Sequence, residues 1–353
     1  MLHTIHLFKK INTSMYYALH RTFLKMAKAN KVRFYEKHRQ AYCELLKDRG
    51  INLILTRVEF EDGLSYSAIE IIMNPMRLLN HDDFVNLAEL QHSSEIKKEF
   101  TKVFEPIKKI FHQDRKNKDL KFIFHKLDSY KFKRVDLAIN IETEHIEYYM
   151  KLIRRGNIPD GFIQASNYNK TSKRTKPLED SFYLKGIKKN ASVTINCYNK
   201  GKQLKNKKLP GAKDAKWTIR FEVQCEYNKL YPLTRNEGNN LSFFLSDELS
   251  EDILGFYFKK TVGFGDYYTL SNARNIIQSQ EGLGQKKKDA LLDTLDMVNQ
   301  KRGIWKARKH VDDKKSFDTR IKALHELNVN PVTIPANWKI DHLPCLLKLG
   351  HEE

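Results

Sequence analysis

The residues best suited to chemistry in this chain are one phenol and three carboxylates, each inside a short β-rich run. Tyr198 ends the run Thr194-Ile-Asn-Cys-Tyr198, and Glu70, Asp136 and Glu222 each sit in the middle of another. A phenol ionises near pH 10, so Tyr198 needs activation before it can attack at neutral pH. Carboxylate oxygens are hard donors suited to Mg²⁺ or Mn²⁺, and such an ion polarises a phosphoryl oxygen. Lys200 and Arg220 are nearby cations suited to favour a phenolate. The chemistry these types describe is metal-assisted attack of a tyrosine on a phosphodiester.

Side chains alternate faces along a strand, which sorts these residues. Ile69, Ile71 and Met73 oppose Ala68, Glu70, Ile72 and Asn74; Val135, Leu137, Ile139 and Ile141 oppose Asp136, Ala138 and Asn140. Val193, Ile195 and Cys197 oppose Thr194, Asn196 and Tyr198, and Ile219, Phe221, Val223 and Cys225 oppose Arg220, Glu222 and Gln224. If the four runs share one antiparallel sheet, one face is apolar and the other carries Glu70, Asp136, Tyr198, Arg220 and Glu222. The plain alternative is a solvated face, which antiparallel sheets often have. In a Lys-rich chain that face should carry mainly Lys, and isolated carboxylates beside a Tyr fit a site better.

The elements that must hold these residues read as α+β: a central antiparallel sheet with helices on one face and a helical C-terminal region. Three divisions are expected: a basic, mostly helical segment over 1–50, a chemistry-bearing domain over 51–240, and a helical region over 241–353 that binds DNA or mediates dimerisation. Leu2–Phe8 alternates weakly as a strand, and Ser14–Arg49 has helical spacing up to Gly50. Ile51–Phe60 and Tyr66–Asn74 read as a hairpin around Glu61-Asp62-Gly63, ended by Pro75. Helical spacing follows over 82–112, a strand over 134–141, and a helix through Ile146–Arg155. Strands return at 181–184, 191–198 and 217–225, with Asn199–Lys213 as a basic loop. Helices are expected over 247–260, 270–280, 285–309 and 320–327.

The chain has 63 Lys and Arg against 43 Asp and Glu, a formal net charge of +20. A surplus of that size favours a polyanionic partner, most often nucleic acid. Lys185, Lys188, Lys189, Lys202 and Lys205 lie on both sides of Tyr198 and are expected to hold a DNA backbone. The four cysteines are far apart and form no zinc spacing, as expected of reduced thiols in a cytoplasmic protein. No apolar run approaches the roughly 20 residues that span a bilayer, so no membrane partner is expected.

Four segments, in order, resemble the Rep_trans replication initiators of staphylococcal-type rolling-circle plasmids. They are Ala68-Ile-Glu-Ile-Ile-Met-Asn-Pro-Met-Arg-Leu78, Lys133-Arg-Val-Asp-Leu-Ala-Ile-Asn140, Thr194-Ile-Asn-Cys-Tyr-Asn-Lys-Gly-Lys-Gln203 and Trp217-Thr-Ile-Arg-Phe-Glu-Val-Gln224. The resemblance covers roughly residues 51–230. It implies nicking of origin DNA, supercoiled or single-stranded, through a 5′-phosphotyrosyl link to Tyr198. It leaves a 3′-OH for a host polymerase, with a host helicase as a further partner, and allows a homodimer. It also implies Glu70 and Asp136 as metal ligands, Glu222 as a third acidic member or as a group supporting the ligands from behind, and Arg220 and Lys200 as phosphate contacts. Asn140 stands where the family pattern ends in a second Asp, and Asn196-Cys197 replaces an Arg-Ile pair.

A relaxase of a conjugative element would use the same chemistry, and a non-catalytic DNA-binding regulator is a reading from another class. Tyr183, one strand earlier, is the rival nucleophile, with packing or phosphate contact as its ordinary role. Another nicking chemistry holds its metal with a His-hydrophobe-His pair; His3 and His6 are three apart, so no such pair occurs and the histidines are expected in core or surface roles. Gly263-Phe-Gly265 and Gly282-Leu-Gly284 read as turns, because neither sits in a P-loop setting.

Overall fold

The computed structural model describes residues 1–61, 65–113, 118–169, 174–177, 181–235 and 240–347, without the side chains of 118, 166–169 and 174–177. The turn expected at Asp62-Gly63 and parts of the basic stretch after residue 169 (170–173 and 178–180) lie outside them.

The strands are β1 (Leu2–Ile11), β2 (Phe34–Lys37), β3 (Gln40–Cys43), β4 (Ile51–Glu59), β5 (Ser65–Met73), β6 (Lys131–Glu142), β7 (Phe162–Gln164), β8 (Ser166–Asn169), β9 (Arg174–Pro177), β10 (Ser181–Gly186), β11 (Val193–Asn199), β12 (Thr218–Glu226), β13 (Tyr267–Tyr268) and β14 (His342–Leu343). Ten of them form one antiparallel sheet in the order β2-β3-β4-β5-β1-β6-β12-β11-β10-β7. The helices are α1 (Thr13–Ala29), α2 (Pro75–Leu79), α3 (Ser93–Val103), α4 (Glu105–Gln113), α5 (Ile146–Ile153), α6 (Lys200–Asn206), α7 (Tyr227–Thr234), α8 (Leu241–Phe244), α9 (Asp247–Thr261), α10 (Leu270–Gln278), α11 (Gln285–Lys301), α12 (Ile304–Arg308) and α13 (Lys314–Glu326). The chain is therefore α+β with a helical C-terminal region, as its periodicities indicate.

Two compact units divide the chain. The first takes Met1–Ile139, Leu204–Ala215 and Glu222–Ser250; the second takes Asn140–Gln203, Lys216–Phe221 and Glu251–Glu353. In the first unit, Ile5, Leu7, Leu53, Leu55, Ile69 and Ile71 are completely buried, as the alternation requires. Phe23 of α1, Phe104 and Phe124 complete that core, with the last two rings stacked at 4.8 Å. Each such Phe contributes on the order of 2–3 kcal/mol of burial. In the second unit, Ala273 and Ile277 of α10, Leu291 and Leu295 of α11, and Leu324 of α13 form one apolar cluster.

Four expectations from periodicity need correction. Residues 34–43 do not continue the N-terminal helix; they form the β2–β3 hairpin, so the 1–50 segment holds three strands beside α1. Its turn residues His38 and Arg39 both have positive φ, +50° and +63°, the signature of a two-residue hairpin turn. No Gly or Asn marks that turn, and the pairing is instead supported by the stacked rings of Tyr35 and Tyr42, 5.0 Å apart. The helix expected over 82–112 is broken into a 3₁₀ turn at Leu90–His92, α3 and α4, and Pro106, which has no N–H to offer the preceding turn, sits at the start of α4. The helix expected over 285–309 stops at Lys301, because Arg302 adopts a left-handed conformation and Gly303 follows it. The basic loop expected over 199–213 opens as α6, with Asn199 Oδ1 accepting from the Lys202 backbone N–H at 2.8 Å.

Candidate metal centre

Three adjacent strands of the sheet each supply one ligand-bearing side chain to a single group. His3 of β1, Asp136 of β6 and Glu222 of β12 bring ligand atoms within 4.8 Å of one another, all inside the first unit. His3 Nδ1 is 3.4 Å from Glu222 Oε2, and Gln224 Nε2 donates to Glu222 Oε1 at 2.9 Å. Both carboxylates are buried, Asp136 at 2% and Glu222 at 4% exposure, which rules out an ordinary solvated sheet face.

The local reason for this convergence is a register slip in β1. Leu2 pairs with Leu137 and Thr4 with Asp136, so two steps of β1 span one step of β6. A bulge of this kind re-aims a side chain, and here the extra residue is His3. The start of β1 is tied down by the Leu2 N–H donating to the Ala88 carbonyl at 2.8 Å and the return bond at 2.9 Å. Strict alternation would send His3 and His6 to opposite faces, which is why the spacing hid His3. Its expected core or surface role is corrected: it belongs to the ligand group.

The electrostatics of the group are those of crowded acids. Burial, with Glu222 alongside, pushes Asp136 up to about 7 against the opposing pull of Arg134. Arg134 donates from Nη2 to Asp136 Oδ2 at 3.1 Å. Its Nε lies 2.8 Å from Asp136 Oδ1 but out of line, so that buried oxygen has no hydrogen bond. One imidazole, two carboxylates and an orphaned carboxylate oxygen suit a divalent cation, since a buried acceptor without a donor is costly unless something else satisfies it. The donor set fits a metal ion and does not single out which.

Glu70 is not part of this group. Its carboxylate accepts from His6 Nε2 at 2.7 Å, Lys133 Nζ at 2.9 Å and Thr56 Oγ1 at 2.9 Å. Gln40 Nε2 donates in turn to Thr56 Oγ1 at 3.2 Å, so one polar line crosses β3, β4, β5, β1 and β6. Burial works to raise the Glu70 pKa, but the hydrogen bonds and charges of His6 and Lys133 outweigh it and bring it to about 2.

Of the other sequence-selected residues, Lys205 lies in the first unit and the rest lie in the second. Tyr198 is on β11 opposite Ser181 of β10 and is 4% exposed. Tyr183, on β10, pairs with Asn196. Arg220 has no exposed surface, and its Nε donates to Asn140 Oδ1 at 2.8 Å. Asn140, which stands where a second acid was compared, thus fixes this buried guanidinium. Lys200 is also buried, its Nζ donating to Gln203 Oε1 at 3.2 Å. Lys185, Lys188, Lys189, Lys202 and Lys205 are all exposed. The thiols offer no rival nucleophile inside the sheet, since burial pushes both Cys197 and Cys225 up to about 12. Among the described residues no helix is long and apolar enough to cross a membrane. Comparison of the chain with protein-family models and with curated proteins finds no match.

Proposed function

We propose that the protein is a metal-dependent DNA nicking-joining enzyme that initiates rolling-circle replication, with Tyr198 as its nucleophile. The observation that carries the reading is the convergence of the buried Asp136 and Glu222, both singled out by strand alternation, with the half-buried His3 in one candidate ligand group. A divalent ion held there supplies charge neutralisation at a phosphoryl oxygen. His3, Asp136 and Glu222 would hold such an ion; the exposed lysines at 185, 188, 189, 202 and 205 bind the strand backbone through their charge. The Tyr198 oxygen attacks phosphorus and the bond to the 3′ oxygen breaks. The strand's 5′-phosphate stays on the tyrosine, and the phenol's proton is balanced by the one gained at the freed 3′-OH. Mg²⁺ or Mn²⁺ is the metal this chemistry calls for.

The test uses supercoiled DNA carrying the element's own origin, incubated with Mn²⁺ or Mg²⁺ and with either the protein or a Tyr198→Phe variant. The expected result is open-circular product and a denaturant-resistant protein–DNA adduct from the unaltered protein only. Loss of nicking in both preparations would sink the enzymatic reading. Equal nicking by both would move the nucleophile elsewhere, with Tyr183 the next to substitute.

A further inference from the structure

Strand register carries the polar face of the first unit's sheet well beyond the metal group, because residues directly opposite in antiparallel strands point the same way. Asp136 pairs with Thr4, Phe8 with Glu70, Glu70 with Ile54, Ile54 with Tyr42, and Tyr42 with Tyr35. One face of β6, β1, β5, β4, β3 and β2 therefore carries Asp136, Phe8, Tyr66, Tyr42 and Tyr35 together. Helix α1 lies on the other face, where His20 meets Glu36 at 2.8 Å and Arg57 sits 4.7 Å over the Tyr17 ring. The rings of Phe8, Tyr35, Tyr42 and Tyr66 stay half-buried, unlike the fully buried phenylalanines packed with α1.

Each ring on this face has a cation beside it. Tyr35 and Tyr42 stack at 5.0 Å, and the Arg33 guanidinium lies 4.2 Å from the centre of the Tyr35 ring. Lys10 Nζ lies 5.6 Å from the centre of the Tyr66 ring, and Lys131 is the strand partner of Phe8. Arg33, Lys10 and Lys131 are exposed and have no carboxylate partner among the described residues. The acids near them are engaged: Glu44 with Lys47 at 2.9 Å, Glu70 with His6 and Lys133, and Asp136 with Arg134. Accessible rings interleaved with uncompensated cations are complementary to a polyanion that offers flat apolar surfaces at intervals. A single nucleic-acid strand has that pattern, whereas a duplex hides its base faces and an acidic peptide has none. From Asp136 to Tyr42 is four strand spacings, ~19 Å, the length of a short single-stranded segment.

We propose that this sheet face is a single-strand track, on which unpaired DNA lies across β1, β5, β4 and β3 beside the metal group. Bases stack on Tyr66 and on the column of Tyr42, Tyr35 and Arg33, and phosphates meet Lys10, Arg33 and Lys131. The inference deepens the nicking reading by naming the form of DNA and the residues that receive it. It is tested by binding without metal ion, so its failure and the failure of nicking are distinguishable.

The test is fluorescence anisotropy of the full chain in EDTA with a labelled single strand of about 12 nucleotides, within the usual site size of such surfaces. The same sequence as a duplex and a glutamate-rich peptide serve as competitors. The single strand should bind about tenfold or more tighter than the duplex at equal salt, the gain of one stacked base. Tyr66→Ala and Tyr35→Ala should each weaken single-strand binding by about fivefold or more. A Lys10→Gln/Arg33→Gln variant should lower the log–log salt slope by about 1.4, at about 0.7 for each phosphate contact on a single strand. Arg21→Gln/Lys25→Gln, an equal loss of charge from exposed positions of α1 on the other face, should leave the affinity unchanged. Should Tyr35→Ala fail to fold, the exposed Lys10 and Arg33 positions still decide the matter. Duplex binding as tight as single-strand binding overturns the proposal, as does equal competition by the peptide. So does affinity unchanged in both Tyr66→Ala and Lys10→Gln/Arg33→Gln.

Discussion

Asp136 and Glu70 are both mid-strand acids, buried to the same degree, yet their surroundings give them opposite character. Asp136 shares its pocket with Glu222 and is pushed up to about 7 by burial, whereas Glu70 is held at about 2 because His6 and Lys133 outweigh the cost of burying it. The first arrangement suits a further cation beyond Arg134, whereas the second is neutralised by His6 and Lys133. Manganese titration should therefore distinguish them. Asp136→Asn, Glu222→Gln and His3→Ala are each expected to weaken Mn²⁺ binding by about tenfold or more, the scale of losing a group that holds or supports a metal. Glu70→Gln should leave that affinity within about threefold while costing about 3 kcal/mol in urea unfolding, because it breaks a buried charge network. If Glu70→Gln abolishes Mn²⁺ binding and Glu222→Gln does not, the ligand group has been assigned to the wrong carboxylate.

At the scale of elements, the decisive feature is the slip between Leu2 and Thr4, which turns a histidine spacing of three into a ligand position. Alternation along β5, β6, β11 and β12 picked out buried apolar residues such as Ile69, Val135, Ile195 and Phe221, but the opposite face is buried as well at Glu70, Asp136, Tyr198, Arg220 and Glu222. A bulge has no comparable sequence signature. The hairpin at 34–43 escaped for a related reason: His38 and Arg39 adopt positive φ without the Gly or Asn that usually announces it. Two helix starts rest on side-chain caps, and residue spacing alone placed the second of them at 320 rather than 314. Asn12 Oδ1 accepts from the Met15 N–H at 2.8 Å and Asp313 Oδ1 from the Ser316 N–H at 2.9 Å, starting α1 and α13. Replacing either by Ala should lower stability by about 1 kcal/mol in chemical denaturation, with Asn12→Asp nearly neutral. No change for Asn12→Ala would mean that α1 is held by packing alone.

At the scale of the whole molecule, the two units should respond to acid in different windows. Burial depresses His325 in the second unit from an ordinary 6.5 to about 4, so the unfolded chain takes up that proton first. Its contribution is complete above pH 6.5 and is lost as the pH falls toward 4. Glu70 in the first unit, depressed from 4.5 to about 2, contributes fully above pH 4.5 and loses that contribution as the pH falls toward 2. Each shift corresponds to at most about 3 kcal/mol. Hydrogen exchange followed from pH 7 to 3 should show peptides around 259–264 and 320–329 losing protection first, and those of β1, β4 and β5 later. A Glu70→Gln variant should lose the lower window only. Simultaneous loss in both units would show that other groups control the acid response.

The sequence by itself determined the α+β class, the faces of the strands, the basic character and two of the three candidate ligands. These depend on local periodicity and composition, which every residue reports directly. Tertiary structure alone decided that Glu70 is consumed by His6, Thr56 and Lys133, that Asn140 secures the buried Arg220, and that His3 joins Asp136 and Glu222. The reason is that a ligand group is a property of strand neighbours. The order β5-β1-β6-β12 and a one-residue slip between two of those strands set which side chains meet, and neither is encoded in the spacing of residues along the chain.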